Sequence, residues 1–264
     1  MLIKPDFFDS FTCLASRCRH TCCAGWEIAV DPDTERLYES LLSGDERSRL
    51  IRTPDRLLLC REGERCGFLN PDGLCELILS HGEDSLCDIC REHPRFYSYS
   101  NDGGICEAGV GLCCEEAARL WLEADPRFVS EDDFEDAGDE ELRLLDAQAE
   151  QLRLALAGEL PMLRYDRLLE LYGRLETLEP LVFSDAEPIL PDSARRLAAY
   201  YIYRWYFEYP RTAVLFAAAN CVMTAALGGD FIDSARRLSC EVEYDPDNTA
   251  MLMESLPALA RAGK

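Results

Sequence analysis

From residue 142 onward, apolar positions recur every three or four residues. Leu142, Leu145, Ala149, Leu152 and Leu156 fall on one helical face, and Gly158 stands where such a helix stops. The segment PMLRYDRLLELYGRLETL keeps the period and places Pro161 at a first helical position. PDSARRLAAYYIYRWYFEYP opens with Asp192 or Ser193 as an N-cap and ends before Pro210. TAVLFAAANCVMTAALGG is apolar almost all round, which predicts a buried central helix, and DPDNTAMLMESLPALARA predicts a weaker amphipathic one. The tyrosine-rich stripe within YYIYRWYFEY has helical spacing and reads as core.

The pattern before residue 125 is less regular. DPDTERLYESLLSG (31–44) carries an N-cap Asp and a terminal Gly and predicts a short helix, as does CCEEAARLWLEAD (113–125). NPDG (70–73) is a turn by composition; SNDGG (100–104) is another, with a hairpin around it. Between the two halves, SEDDFEDAGDEE (130–141) has eight acidic residues in its last eleven positions, a solvated linker or an exposed helix start. No internal repeat has a solenoid period. The expectation is a mainly α protein: a loop-rich, cysteine-dense N-terminal half with short helices over 1–128, an acidic linker over 129–141, and a helical C-terminal half over 142–264.

Composition narrows the function. A hydrophobic content of 48% allows a full core, so cysteines are not needed in place of one. The start MLIKPDFFDSFTC lacks a basic stretch followed by an apolar one, so no secretory signal is expected. The most apolar segment contains Asn220, and its runs fall short of the roughly 20 residues that span a bilayer. A cytoplasmic location follows, with no membrane partner and with thiols kept reduced. The net charge of −23 repels phosphate backbones, so nucleic acid is excluded as a partner, whereas lysine-bearing protein surfaces suit such a field.

Twelve of the fourteen cysteines lie in the first 114 residues: Cys13, Cys18, Cys22, Cys23, Cys60, Cys66, Cys75, Cys87, Cys90, Cys106, Cys113 and Cys114. Reduced thiols at this density point to soft metals, as zinc or an iron–sulfur cluster. Only Cys87 and Cys90 form a CxxC pair; the dispersion of the others suits a site assembled from several loops. Residue by residue, Cys60 and Cys106 read as small buried hydrophobes, Cys221 and Cys240 as core, His20 and His81 as ordinary polar residues, and His93 as support for a neighbouring ligand. The radical CxxxCxxC pattern fails at Gly25, and no glycine-rich loop marks a nucleotide site. A disulfide-rich exported protein is the remaining reading of the thiols, disfavoured by the missing signal.

FTCLASRCRHTCCAGWEIAVD, CGFLNPDGLCEL, CREHPRF and CCEEAARLWL together resemble the flagellin lysine N-methylases, within the CxxCxxCC zinc- or iron-chelating cysteine-cluster proteins. AAYYIYRWYF and RRLSCEVEYDPDN are similar to that family's C-terminal segments. The resemblance implies a [4Fe–4S] cluster, with zinc the alternative metal. It also implies methyl transfer from S-adenosylmethionine to lysines of flagellin or a similar protein substrate. It places metal ligands at Cys18, Cys22, Cys23, Cys66, Cys75, Cys90 and Cys114. Arg95 and Arg119 are assigned to cofactor binding from their proximity in sequence to these cysteines, where they would offset a cluster's negative charge. The alternative function is a non-catalytic zinc- or iron-chelating protein. No catalytic residue is singled out; Asp31, Glu115 and Glu116 are the carboxylates considered as proton acceptors for the lysine ammonium.

Overall fold

The computed structural model describes residues 1–61, 63–100, 103–124, 127–131 and 139–262. The chain forms two compact units: Thr12–Pro94 is one, and Met1–Phe11 with Arg95–Lys264 is the other. In chain order, strand β1 (Leu2–Pro5) opens the larger unit. The smaller unit then contributes β2 (Ile28–Ala29), α1 (Pro32–Leu41), α2 (Gly44–Arg47), β3 (Ile51–Arg52), β4 (Leu57–Cys60), α3 (Glu76–His81) and α4 (Asp88–Glu92). The larger unit resumes with β5 (Arg95–Tyr99), β6 (Cys106–Val110), α5 (Glu115–Glu123), β7 (Phe128–Ser130), α6 (Asp139–Leu156), α7 (Tyr165–Tyr172), α8 (Ala194–Trp205), α9 (Ala213–Ala226), α10 (Phe231–Val242) and α11 (Pro246–Ala262). Helices take up 48% of the described residues against 12% for strands, so the mainly α reading with a loop-rich cysteine half holds.

The larger unit builds its core from helices laid beside a four-stranded sheet of order β5–β6–β1–β7, in which only β1 and β6 are parallel. The β5–β6 hairpin is the one expected around residues 100–104; residues 101 and 102 of that turn lie outside the described residues. Gly109 on β6 sits opposite Phe96 on β5, and a Cβ there would meet the Phe96 ring at 2.4 Å, so the strand needs glycine at that position. The tyrosine stripe is core, as its spacing predicts: Tyr200, Tyr201 and Tyr203 are fully buried along with Trp121 and Phe216. The Tyr203 hydroxyl donates to the carbonyls of Ile3 (2.9 Å) and Ala108 (3.0 Å), pinning α8 to β1 and β6. The Trp121 indole donates to the Val110 carbonyl at 2.7 Å and packs edge-on against Phe7 and Tyr200. The polar tips of Tyr203 and Trp121 are thus satisfied while their faces are dry; the Tyr201 hydroxyl is buried without a partner.

At the end of α10, Glu243 gathers a buried polar network. Its carboxylate accepts from Ser239 Oγ (2.6 Å), Tyr200 Oη (3.0 Å) and Trp205 Nε1 (3.1 Å). Arg204 Nε lies 2.9 Å away, but its N–H is not aligned for a hydrogen bond, so this pair is held by charge. The guanidinium also lies over the rings of Phe96 and Trp205, at 4.1 and 5.0 Å from their centroids.

Several boundaries differ from the pattern-based expectation. α7 begins at Tyr165 with Arg164 as its N-cap, so Pro161 lies outside the helix. Ser193 is the N-cap of α8 but makes no side-chain capping bond. α9 is buried as expected. α10 is a helix that the pattern-based expectation leaves out; Asp230 caps it by accepting from Asp233 N. Of the acidic run, 132–138 lie outside the described residues, and α6 starts at Asp139 and ends ahead of Gly158, which takes φ +80. No helix among the described residues is long and apolar enough to cross a membrane.

Candidate metal centre

The smaller unit has a core of its own, and much of it is sulfur. Cys60, Cys66 and Cys87 are buried together with Ile28, Tyr38, Leu57, Leu59, Phe68 and Leu77; Cys23, Cys75, Cys90 and Trp26 pack against them, half-buried. Four local structures deliver the sulfurs. The antiparallel bridge Ala24–Arg65 and the bond from Cys66 N to Cys23 O (2.8 Å) hold Cys23 beside Cys66. The NPDG turn, closed by Gly73 N to Asn70 O (3.0 Å) with Gly73 at φ +77, folds Cys75 back toward Leu69, so Cys66 and Cys75 flank one tight loop. Cys75 then stands at the start of α3, and Cys87 at the start of α4 with Cys90 inside it. Asp31 fixes the last of these. One of its oxygens caps α1 through Thr34 N (2.8 Å) and the other accepts from Asp88 N (2.9 Å), the first residue of α4.

The thiols sense one another. A hydrogen bond from Cys22 lowers the Cys23 thiol to about 6, against the opposing effect of burial, with help from Thr21 and the Arg65 charge. Cys87 is lowered because Cys90 donates to it, and Cys90 is raised by the same bond and by burial. Burial pushes Cys66 up to about 12 and raises Cys75, although the N–H groups of Ile78 and Leu77 pull Cys75 down. Thiolates in a common low-dielectric site repel, which is the electrostatic situation a cation relieves. None of the cysteines is in a disulfide. Among the described residues, no three His, Cys, Asp or Glu side chains are set to hold a metal ion as they stand. The donors are gathered but not closed around a point.

In donor chemistry the arrangement fits a soft metal group: five thiols, Cys23, Cys66, Cys75, Cys87 and Cys90, share one apolar core. A second observation agrees. The Tyr38 hydroxyl is buried in this core and has no hydrogen-bond partner, and a buried hydroxyl left so costs free energy unless something accepts its proton.

Of the expected ligands, the structure brings Cys23, Cys66, Cys75 and Cys90 together, with Cys22 reaching the group through its bond to Cys23. Cys18 sits on the preceding loop with its thiol donating to the His20 carbonyl at 3.2 Å. Cys114 belongs to the larger unit, where it begins α5. Arg95 and Arg119 are in that unit too: Arg95 lies over the Phe8 and Phe11 rings, and Arg119 pairs with Glu116 and Glu123 on its own helix. Cys87 and Tyr38 were not among the expected site residues; the CxxC spacing at 87–90 signals the first, and no local motif signals the second. Cys60 is the buried hydrophobe expected, its thiol donating to the Glu64 carbonyl at 3.1 Å. His93, lowered to about 4 by burial, packs 5.4 Å from Trp26.

Two of the three carboxylates considered as proton acceptors, Asp31 and Glu116, are engaged elsewhere. Burial alone would raise Asp31, but the N–H groups of Asp88 and Thr34 hold it at about 2, so it is a cap. Glu116 is paired with Arg119.

Three curated bacterial proteins resemble this chain. It is 29% identical over 142 residues to proteins named Lysine-N-methylase from Salmonella typhimurium and Salmonella choleraesuis, a match covering 48% of this chain and 34% of each relative. It is equally similar to the Flagellar biosynthetic protein FliU of Salmonella muenchen, of which 81% is covered. The chain thus spans about a third of the length of the first two relatives it matches. The resemblance to lysine N-methylases is therefore borne out over 48% of the chain. No protein-family model and no solved structure matches the chain.

Proposed function

We propose that the Thr12–Pro94 unit holds a thiolate-bound [4Fe–4S] cluster and that the chain serves protein lysine N-methylation, with S-adenosylmethionine as methyl donor and a flagellin-like protein as substrate. The observation that carries the metal half is the convergence of Cys23, Cys66, Cys75, Cys87 and Cys90 in one core without a disulfide. The methylation half is supported by the names of the relatives. Ligands would come from these five cysteines. When bound, a cluster ties the loop around Cys23, the Cys66–Cys75 turn and α4 together and supplies a Lewis-acidic iron or an electron.

The chemistry asked of the protein is simple. The neutral lysine amine attacks the sulfonium methyl group in line; the N–C bond forms, the C–S bond breaks, the thioether leaves, and the new ammonium releases a proton. A surface of net charge −23 draws lysine-bearing proteins toward it. A second reading, a structural zinc site, is favoured by the Cys87–Cys90 pair at the start of α4, which has the spacing of zinc knuckles.

The test is purification without oxygen, followed by a visible spectrum and analysis for iron, sulfide and zinc. A broad absorption near ~400 nm with about four irons per chain, as a cubane with Cys ligation requires, supports the proposal. Stoichiometric zinc without iron replaces it with the second reading. The methylation half is tested with labelled S-adenosylmethionine and flagellin, and absence of label on lysine with the metal-loaded protein sinks it.

A further inference from the structure

Tyr38 is the one large polar side chain sealed into the sulfur-rich core. It is 1% exposed, its oxygen is closed off from solvent, and it has no hydrogen-bond partner. A cavity of about 190 Å³ lined by Glu35, Glu39, Leu50 and Leu57 borders the residue without reaching that oxygen. The position is well fixed. Tyr38 is on α1, one helical turn beyond Thr34, and that helix is anchored at its start by Asp31, which also holds the first residue of α4. The ring packs in the same cluster as Cys60, Cys66 and Cys87, with Cys75 and Cys90 against it. Leucine or phenylalanine would fill such a place in an apolar core without stranding a hydroxyl.

We infer that the Tyr38 hydroxyl donates a hydrogen bond to a sulfur of the metal group held by the neighbouring cysteines, and so acts as a positioning residue that tightens metal binding and sets the charge on the sulfur. This inference rests on the metal reading above. The ring shares its cluster with Cys66 and Cys87, and Cys75 and Cys90 pack against that cluster, so sulfurs are the acceptors nearest at hand for a phenol that keeps its proton at neutral pH. A donor aimed at metal-bound thiolate stabilises the electron-rich state of the group and slows its protonation and loss. Without the metal, the same hydroxyl is only a desolvated group with nothing to bind.

That contrast gives a test with a change of sign. Tyr38→Phe removes one oxygen and keeps the ring. In the metal-free protein it should melt no lower than wild type, because the lost hydroxyl had no partner. In the metal-loaded protein it should lose metal to a competing chelator about tenfold more readily or beyond, as expected for one hydrogen bond to a charged acceptor. The thiolate-to-metal absorption should shift as well; if the metal is iron–sulfur, the variant should also be harder to reduce. Wild type that loads metal, with a variant of unchanged affinity and spectrum, overturns the role of Tyr38 and leaves the metal reading standing. Wild type that holds no metal overturns both. A metal-free variant that melts lower than wild type also overturns the inference, since it would mean the hydroxyl is satisfied by the protein. Tyr38→Leu, which loses the ring as well, separates loss of packing from loss of the donor: only packing loss should lower the metal-free melting temperature.

Discussion

The Glu243 network makes a sharp prediction about the larger unit. Glu243→Gln keeps the shape of the side chain but removes the charge facing Arg204 and replaces one acceptor oxygen with a donor. Three donors converge there, from Ser239, Tyr200 and Trp205, so at least one must then face an N–H group. Removing one member of a buried ion pair costs about 3–5 kcal/mol. The guanidinium of Arg204 retains its stacking on Phe96 and Trp205 and is not wholly sealed, with 13% of its side chain exposed, so the lower end, about 3 kcal/mol, is expected. At about 2–4 °C per kcal/mol for a chain of this size, the melting temperature should fall by about 6–12 °C. Tyr200→Phe, which removes one donor to Glu243 and the acceptor for Leu112 N, should cost about 1–2 kcal/mol. Calorimetry on the two variants and a double mutant would check both figures, and the pair should be non-additive because the residues touch. A Glu243→Gln protein melting within about 2 °C of wild type, or a Tyr200→Phe protein that loses as much as it does, would refute the assignment of Glu243 as the hub.

Three further outcomes follow from other sites. Cys66→Ser should reduce bound metal to less than half of wild type, whereas Cys13→Ser, on an exposed thiol, should not; equal metal content in the two would reject the core thiols as ligands. Burial holds Glu107 well above its ordinary 4.5, with only Gln148 donating to it. Its contribution to stability is therefore fully present below pH 4.5 and is lost as pH rises through the folded value, so Glu107→Gln should flatten the alkaline side of the stability profile and raise stability at pH 8 relative to wild type, measured by urea titration. Gly109→Ala drives a methyl group into the Phe96 ring and should cost about 1–3 kcal/mol; the double variant with Phe96→Leu should recover part of the loss.

How much of this was legible beforehand follows from what each feature depends on. α6, α8 and α9 were visible because a helix that packs on a core repeats its apolar residues on one face, whatever the core is. α10 carries the same kind of signal in Phe231, Ala235, Leu238 and Val242, at three- and four-residue spacing, although buried Ser234, Ser239 and Glu241 dilute it. The start of α7 was misplaced because proline at a first turn is only a preference, and here Arg164 is the N-cap. Apart from the β5–β6 hairpin, announced by its turn, the strands leave no mark in the sequence: β2 and β3 are two residues long and exist only through pairing with β4, a contact between distant segments. Cysteine positions announced a thiol site through their number and spacing. Which of them meet depended on the Ala24–Arg65 bridge and on Asp31 linking α1 to α4, and no local pattern encodes either.

The two units differ in what their cores are made of. In the larger one, a broad aromatic and aliphatic core surrounds buried polar groups, of which Tyr203, Trp121 and Glu243 find protein partners while the Tyr172 and Tyr201 hydroxyls do not. In the smaller one, the core is thin, sulfur takes places that leucine would otherwise hold, and the one buried phenol lacks a partner. A small unit with so little apolar mass is the kind that needs a cross-link to stay folded, and with no disulfide present the thiols are the means at hand. What sets the smaller core apart is its donor set, with Cys23, Cys66, Cys75, Cys87 and Cys90 gathered around one buried phenol, and that is why the metal proposal is placed there.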